Sequence, residues 1–102
     1  MNDVIITKDV VTSDGVRLIS AQTCWAVCSQ QIDIAIKDDI ICDVAFVGGC
    51  MGNTCGVARL CKDMKVQDVI DRLVGIDCNG KGTSCPDQLA KALIHTLQTI
   101  EE

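Results

Sequence analysis

Eight cysteines are the residues of this 102-residue chain whose type and spacing could do chemistry. A thiolate is both a nucleophile and a ligand for zinc and for iron–sulfur clusters. In a short secreted chain, this many cysteines would predict a disulfide scaffold. The first nine residues, however, have neither the basic segment nor the long apolar segment of a signal peptide. We therefore expect a cytoplasmic protein whose cysteines are reduced and serve as metal ligands, redox groups or small buried residues.

Composition argues against two classes of partner. The formal net charge is −5, whereas binding to nucleic acid or to anionic lipid needs a basic surface. Only Trp25 and Phe46 are aromatic, so there is no stacking platform for single strands. No apolar run approaches the roughly 20 residues that span a bilayer. We expect neither nucleic acid nor a membrane as a partner.

Alternating apolar residues predict an antiparallel hairpin over residues 30–47, with a polar connection at 37–39. The inward positions of the first strand are Ile32, Ile34 and Ile36, and those of the second are Ile40, Cys42, Val44 and Phe46. Residues 4–6 and 16–20 are weaker strand candidates, separated by a turn at 13–15. A sheet of three or four strands follows.

Helical spacing begins after residue 47, and three helices are predicted. The first has Asn53 as its N-cap, the second stops at Gly75, and the third begins with Pro86 as its first helical residue. Their apolar stripes are Val57, Leu60, Cys61 and Met64; Val66, Val69, Ile70, Leu73 and Val74; and Leu89, Ala90, Leu93, Leu97 and Ile100. The order predicts an α+β domain in which a three- to four-stranded antiparallel sheet is followed by three helices packed on one face.

The predicted elements sort the cysteines into groups. Cys42 and Cys61 fall on inward faces, where a free cysteine packs as a small apolar residue. Cys50 and Cys85 fall in turns at helix N-termini, which favour the thiolate, and Cys85 would itself be the cap residue. A glycine-containing loop carries Cys78 close to Cys85 in sequence. Cys24 and Cys28 form a Cys-x3-Cys pair that shares a face in a strand or a helix.

These positions predict a site that holds zinc or an iron–sulfur cluster through Cys28, Cys50, Cys78 and Cys85. Cys24 and Cys55 are close enough in sequence to join it. The alternative is that these thiols are partly buried in tight turns and bind nothing. His95 is expected at the rim of the last helix and not as a ligand. The acidic residues Asp63, Asp68, Asp71 and Asp87 are expected on solvated helix faces or caps.

Several separated motifs resemble the TSCPD-domain family. The carrying residues are Cys28-Ser29, Phe46-Val47-Gly48-Gly49-Cys50, Asp68-Val69-Ile70, Gly75-Ile76, Cys78 and Thr83-Ser84-Cys85-Pro86-Asp87. The resemblance covers roughly residues 23–95 and implies a TSCPD domain over 23–102 after an N-terminal extension over 1–22. Family members are small stand-alone proteins or C-terminal segments of vitamin-B12-dependent ribonucleotide reductases. The family thus implies a partner among ribonucleotide reductases or other redox proteins.

A more distant similarity is to iron–sulfur scaffolds of the IscU and NifU type. There too, a cysteine precedes a hairpin, a second follows it in a glycine turn, and a third opens the terminal helix. The matching positions are Cys28, Cys50 and Cys85. This similarity implies an IscU/SufE-like fold, and it selects positions that helix-terminus reasoning also selects.

The leading hypothesis is a small zinc or iron–sulfur module that assists ribonucleotide reduction. A rival is a dithiol protein in which Cys78 and Cys85, or Cys24 and Cys28, cycle through a disulfide and deliver electrons to a reductase. A third is a pure interaction domain with replaceable cysteines. A complete ribonucleotide reductase is not expected, because about a hundred residues without a large barrel cannot enclose nucleotide, radical cofactor and reducing cysteines together. Whether the protein is an enzyme stays open at this point.

Overall fold

The chain forms four strands and then three helices. The computed structural model describes residues 3–24, 29–48, 51–76, 80 and 82–101. The strands are β1 (Ile5–Val11), β2 (Arg17–Gln22), β3 (Ser29–Lys37) and β4 (Ile40–Gly48), and the helices are α1 (Met51–Cys61), α2 (Val66–Leu73) and α3 (Cys85–Glu101). This order confirms the predicted α+β class. Among the described residues, no helix is both long enough and apolar enough to cross a membrane.

The strands form one antiparallel sheet in the order β1-β2-β3-β4. Along β3 the buried side chains are Ile32, Ile34 and Ile36, as the alternating pattern predicts. They share one apolar cluster with the buried residues of α2 and α3, including Val69 and Leu93. Because side chains alternate between the faces of a strand, the opposite face is left with the more polar residues.

A two-residue turn connects β3 to β4. Asp38 and Asp39 both have positive φ, 54° and 65°. Two consecutive left-handed residues match the right-handed twist of the flanking strands, and aspartate tolerates this conformation better than most residues. The predicted polar connection is confirmed, and the short turn sets the register of the hairpin.

Cys42 does not lie in the core, contrary to the prediction. Asp43 pairs with Ala35 whereas Ile41 pairs with Ile36, so Cys42 is an extra residue in β4. Such a bulge changes which residues face inward. Ile41 is therefore fully buried, while the Cys42 thiol is half-buried with its Sγ 4.0 Å from the carbonyl oxygen of Ile40.

Helix α1 differs from its prediction at both ends. It begins at Met51, so Asn53 lies inside the helix and is not its N-cap, and it ends at Cys61. Cys61 is buried as predicted, but Leu60 is 77% exposed. Leu60 contributes to the lining of an apolar cavity of about 190 Å³ between α1 and α2. The apolar stripe of α1 is thus only partly covered.

Helix α2 follows its prediction closely. Val66, Val69 and Ile70 are buried at the predicted spacing. The helix ends at Leu73, and Gly75 follows in the left-handed conformation with φ 86°. Glycine adopts this conformation without the steric cost that a Cβ imposes. The chain therefore turns sharply after α2.

The two edges of the sheet have different surroundings. The connection between α1 and α2 covers part of the free side of β4 through backbone hydrogen bonds. These run from Ile41 N–H to the Met64 oxygen, 2.9 Å, from Asp63 N–H to the Ile41 oxygen, 2.8 Å, and from Val66 N–H to the Asp39 oxygen, 2.9 Å. On the free side of β1, no described strand or loop forms a corresponding ladder. Only the β4 edge is protected by described backbone.

The two leucines at opposite extremes of burial give a matched test of this core. We expect Leu89→Ala, in the fully buried face of α3, to lower the free energy of unfolding by about 2–5 kcal/mol. We expect Leu60→Ala to change it by no more than about 0.5 kcal/mol, because that side chain is already in water. Urea unfolding under reducing conditions measures both. Equal losses would contradict the assigned packing.

Candidate functional site

The structure describes five of the eight cysteines. All five are thiols without a disulfide bond: Cys24, Cys42, Cys55, Cys61 and Cys85. The predicted ligands Cys28, Cys50 and Cys78 lie outside the described residues. Of the predicted set, Cys85 is thus described together with the two additional candidates, Cys24 and Cys55. Among the described residues, no group of three histidine, cysteine or acidic side chains is placed to hold a metal ion.

Ser84, and not Cys85, caps helix α3. The Ser84 Oγ accepts a hydrogen bond from the Asp87 N–H, 3.1 Å, and the Ser84 carbonyl accepts one from the Gln88 N–H, 2.8 Å. This is the pattern of an N-cap residue, so Cys85 is the first residue of the helix and Pro86 the second. The prediction that Cys85 is the cap residue is therefore wrong. Cys85 is buried in the first turn, beside a conventional serine cap.

The Asp87 carboxylate is buried, although the sequence predicts a solvated position for it. Asp87 is 1% exposed. Its Oδ1 accepts from the Gly75 N–H, 2.7 Å, and its Oδ2 accepts from the Thr83 hydroxyl, 2.6 Å. The Lys91 Nζ lies 2.8 Å from the same Oδ2, one turn along α3. One carboxylate therefore joins the end of α2 to the start of α3.

These partners decide the charge state of Asp87. Burial by itself would raise the pKa of the carboxyl group. The hydrogen bonds from Lys91, Thr83 and Gly75, with the positive charge of Lys91, outweigh burial and lower the pKa below its ordinary value. The ionised form is consequently the one that the fold stabilises.

Gln88 extends the same network to the sheet. Its side chain is fully buried. Its Nε2 donates to the Thr83 Oγ1, 3.0 Å, and its Oε1 accepts from the backbone N–H of Cys24, 2.9 Å. Both the nitrogen and the oxygen of the amide are thus hydrogen-bonded. Through the oxygen, Cys24, two residues after β2, is held against the first turn of α3. Cys24 and Cys85 are thereby carried by segments that meet at this turn.

The same end of the sheet carries the neighbours of two undescribed cysteines. Gln22 at the end of β2 pairs with Gln31, and Thr23 N–H donates to the Gln30 carbonyl, 3.1 Å. Ser29 at the start of β3 pairs with Gly48 at the end of β4. Residue 28 is bonded to Ser29, and residue 50 follows Gly48 by two positions. Ser29 and Gly48, the described residues nearest to them, therefore lie at the end of the sheet that the first turn of α3 contacts.

The other cysteines lie elsewhere. Cys55 is exposed on α1, and Cys61 is buried in the core, where desolvation raises the pKa of its thiol. Cys42 occupies the bulge near the start of β4, close to the covered edge. The structure thus confirms a core role for Cys61 alone. It gives neither Cys55 nor Cys42 a described contact with the first turn of α3.

His95 is half-buried and contacts the carboxylate of Asp3. Its Nε2 lies 3.0 Å from Asp3 Oδ2 and 3.1 Å from Oδ1. Burial opposes ionisation of Asp3, but the Val4 N–H and His95 outweigh it and lower the pKa of Asp3. His95 therefore fastens the start of the chain to α3, in keeping with the rim position expected for it.

Sequence reasoning missed Thr83, Asp87 and Gln88 as the residues that build the site's frame. A signal was present: an acidic residue at the third helical position after a serine cap resembles the capping box, and a lysine follows it at i+4. The long-range partners Gly75 and Cys24 were not encoded in any local pattern. Gly75 binds the buried Asp87 carboxylate, and Cys24 binds the buried Gln88 amide.

A model of the TSCPD domain matches residues 10–97. The chain belongs to the TSCPD-domain family. Searches of curated proteins and of solved structures returned no match. The similarity to IscU-type scaffolds and the predicted division at residue 22 therefore stay predictions.

The buried segment Thr83 to Asp87, which spans the start of α3, is the pentapeptide from which the TSCPD domain is named. Three of its five side chains have a described structural role. Thr83 and Asp87 bond each other, and Ser84 caps the helix. None of these hydrogen bonds uses the thiol of Cys85. The TSCPD motif thus combines a rigid polar frame with one buried cysteine.

The lowered pKa of Asp87 predicts a pH dependence of stability. A carboxyl group whose pKa is lower in the folded chain stabilises the fold above the pKa of the unfolded chain, about 3.9, and that contribution is lost as the pH falls through the folded pKa. We expect Asp87→Asn to lower stability at neutral pH and to reduce the loss of stability below about pH 4. Thermal unfolding between acidic and neutral pH measures this. Asp68→Asn, on the exposed face of α2, is the matched control, and the same flattening in both variants would contradict the role of Asp87.

The Thr83 hydroxyl can be tested separately. Thr83→Val keeps the shape of the side chain but leaves the Gln88 amide and the Asp87 carboxylate each without one partner. We expect it to lower the free energy of unfolding by about 1–3 kcal/mol. Thr83→Ser keeps the hydroxyl and should lose clearly less. If the two variants lost equal stability in urea unfolding, the methyl group and not the hydrogen bonds would be the cause.

Proposed function

We propose that the protein binds zinc or an iron–sulfur cluster through thiolates gathered at the first turn of α3, with Cys28, Cys50, Cys78 and Cys85 as ligands. One observation carries the proposal: the side chains of Gln88 and Asp87 tie the ends of β2 and α2, respectively, to the turn that holds Cys85. Cys24 belongs to the first of these connections and is a further candidate ligand. Cys55 is a weaker one, since it is exposed on α1.

Chain connectivity supports this ligand set. Consecutive Cα atoms lie about 3.8 Å apart, so residue 28 lies within one such step of Ser29, and residue 50 within two steps of Gly48. Residue 78 follows Gly75 by three positions, and the Gly75 N–H binds the carboxylate of Asp87. Each of these three anchors belongs to the end of the sheet or to the frame around α3. The four cysteines therefore belong to segments that are anchored near one another.

The chemistry of the donors also fits a metal. Thiolate sulfur is the preferred ligand of zinc in structural sites and of iron in clusters. A helix of 17 residues begins at Cys85, and the first-turn N–H groups and the helix dipole favour negative charge at that end. Bound zinc would stabilise the fold, whereas a cluster would also accept and donate an electron. The donor set suits both.

Membership in the family supports a role beside ribonucleotide reduction. The TSCPD domain also forms C-terminal segments of B12-dependent ribonucleotide reductases, enzymes that consume reducing equivalents. We infer that this protein is an accessory module for a ribonucleotide reductase or another redox protein. Its metal or its thiols would then serve the partner's cysteine chemistry.

Metal content decides the proposal. We expect anaerobically purified protein to contain about one equivalent of zinc, or iron and sulfide with the visible absorption of a cluster. Cys85→Ser should reduce the bound metal at least tenfold, because serine is a poor ligand for either. Cys42→Ser is the matched control, since Cys42 is a half-buried thiol in the β4 bulge, and it should retain wild-type metal content. Elemental analysis and an absorption spectrum measure all three proteins.

Two results would contradict this proposal. A colourless, metal-free wild-type protein with eight titratable thiols would remove the metal site. If that protein then showed a reversible two-electron couple, the dithiol function would replace it. Equal metal content in Cys85→Ser and Cys42→Ser would instead remove Cys85 from the ligand set.

A further inference from the structure

Strand β1, which forms one edge of the sheet, has three exposed apolar side chains. Ile5 is 63% exposed, Val10 46% and Val11 67%. The unpaired backbone N–H and C=O groups of an edge strand are a template for pairing with another strand. In β1 the apolar residues lie on both sides of a polar centre formed by Thr7, Lys8 and Asp9. The connection between α1 and α2 covers part of the β4 edge, whereas no described residue pairs with the free side of β1. Of the two edge strands, β1 is therefore the one without a described backbone partner on its outer edge.

A β-bulge divides β1 into two halves. Ile6 pairs with Ala21 and Lys8 pairs with Ser20, so Thr7 is an extra residue. Ala21 is buried on the helix-covered face of the sheet, whereas the neighbouring Ser20 lies on the other face. Ile6 therefore faces the helices and Lys8 faces away from them. The alternation of the faces changes phase at Thr7.

This change of phase limits how two copies of β1 can pair. Residues that lie opposite each other in an antiparallel ladder point to the same face of the sheet. Before Thr7 the even-numbered residues face the helices, and after it the odd-numbered residues do. Consider a residue before Thr7 in one copy that lies opposite a residue after Thr7 in the other copy. The two side chains face the same side of the sheet only if the two residue numbers add up to an odd number. The antiparallel register centred between Thr7 and Lys8 meets this condition along the whole strand.

That register also matches the side chains. It places Ile5 of one copy opposite Val10 of the other on the open face, and Val4 opposite Val11 on the helix-covered face. Apolar cross-strand pairs of this kind stabilise a sheet. Of the two adjacent registers, whose sums are even, one would place Lys8 opposite Lys8, and like charges in direct opposition are unfavourable. The other would place Lys8 opposite Ile6, although these two side chains face opposite sides of the sheet. The same register that pairs Ile5 with Val10 places Thr7 opposite Lys8, and Ile6 opposite Asp9, which is already paired with Arg17. The apolar pairs therefore lie toward the two ends of the strand, and no like charges oppose each other.

We propose that β1 pairs antiparallel with β1 of a second copy of this chain, so that two four-stranded sheets form one continuous sheet of eight strands. The two-fold axis passes through the paired bulges, as a closed dimer requires. The proposal is independent of the metal site, because it rests on residues at the opposite edge of the sheet from β4.

The experiment compares two valines of nearly equal exposure on the two edge strands. Val10 in β1 is 46% exposed and Val47 in β4 is 45% exposed. Under reducing conditions that exclude intermolecular disulfides, sedimentation and light scattering of the wild type should give twice the 10.9 kDa chain mass. We expect V10K to shift the mass to that of one chain, and V47K to leave the dimer intact. Far-UV circular dichroism checks that both variants are folded.

A charge exchange tests the register itself. I5K and V10D should each weaken the dimer, because each places a charge opposite an apolar side chain. The double variant I5K/V10D should dimerise more tightly than either single variant, since it places the two new charges opposite each other. A wild type that stays monomeric over the dilution series, a dimer unaffected by V10K, or equal dissociation of V10K and V47K would each overturn the proposal. A double variant no tighter than the singles would overturn the register.

Discussion

The buried carboxylate of Asp87 is the interaction on which the arrangement of the helices and the candidate site depends. It accepts hydrogen bonds from the end of α2, from the residue before the α3 cap and from Lys91 on α3. A carboxylate without these partners would be costly to bury, so each partner must be in place for α3 to dock as it does. Through Thr83 and Gln88 the same network reaches Cys24 at the end of β2. The geometry around Cys85 is therefore set by neighbours that are themselves buried and bonded.

Local periodicity predicted those parts of the fold that depend on local information. Strand β3 and helix α2 follow their patterns, because alternation in a strand and i, i+3, i+4 spacing in a helix specify which side is buried. Cys42 departs from its pattern because a bulge inserts one residue, and a bulge depends on pairing with the neighbouring strand. Leu60 departs from the predicted apolar stripe of α1 because no described residue packs over its side chain, which is exposed. Neither effect can be read from the segment in which it occurs.

For the candidate site, too, the sequence predicted what depends on local residues and missed what depends on distant ones. The sequence located Cys85 at the start of the last helix, because Pro86 marks a helix start. It misplaced the cap by one residue and left Asp87 in water, because the partners of Asp87 come from 12 positions upstream and from both sides of its own turn. In the motif that carries the family resemblance, the threonine, serine and aspartate side chains form hydrogen bonds that hold the start of α3 in place. A conspicuous motif thus need not consist of residues that react.

Three side-chain contacts of α3 reach far back along the chain: Gln88 to Cys24, Arg17 to the Thr96 carbonyl, and His95 to Asp3 span 64, 79 and 92 positions. Contacts of such separation require closure of long loops and are typically formed late in folding. While the chain is being synthesised, Cys24 emerges well before α3, whose Gln88 side chain binds the Cys24 backbone N–H in the folded protein. Until α3 docks, the segment that carries the Cys24 thiol is therefore open to water and oxidants. Folding, and not only the redox conditions of the compartment, determines how long this thiol is exposed.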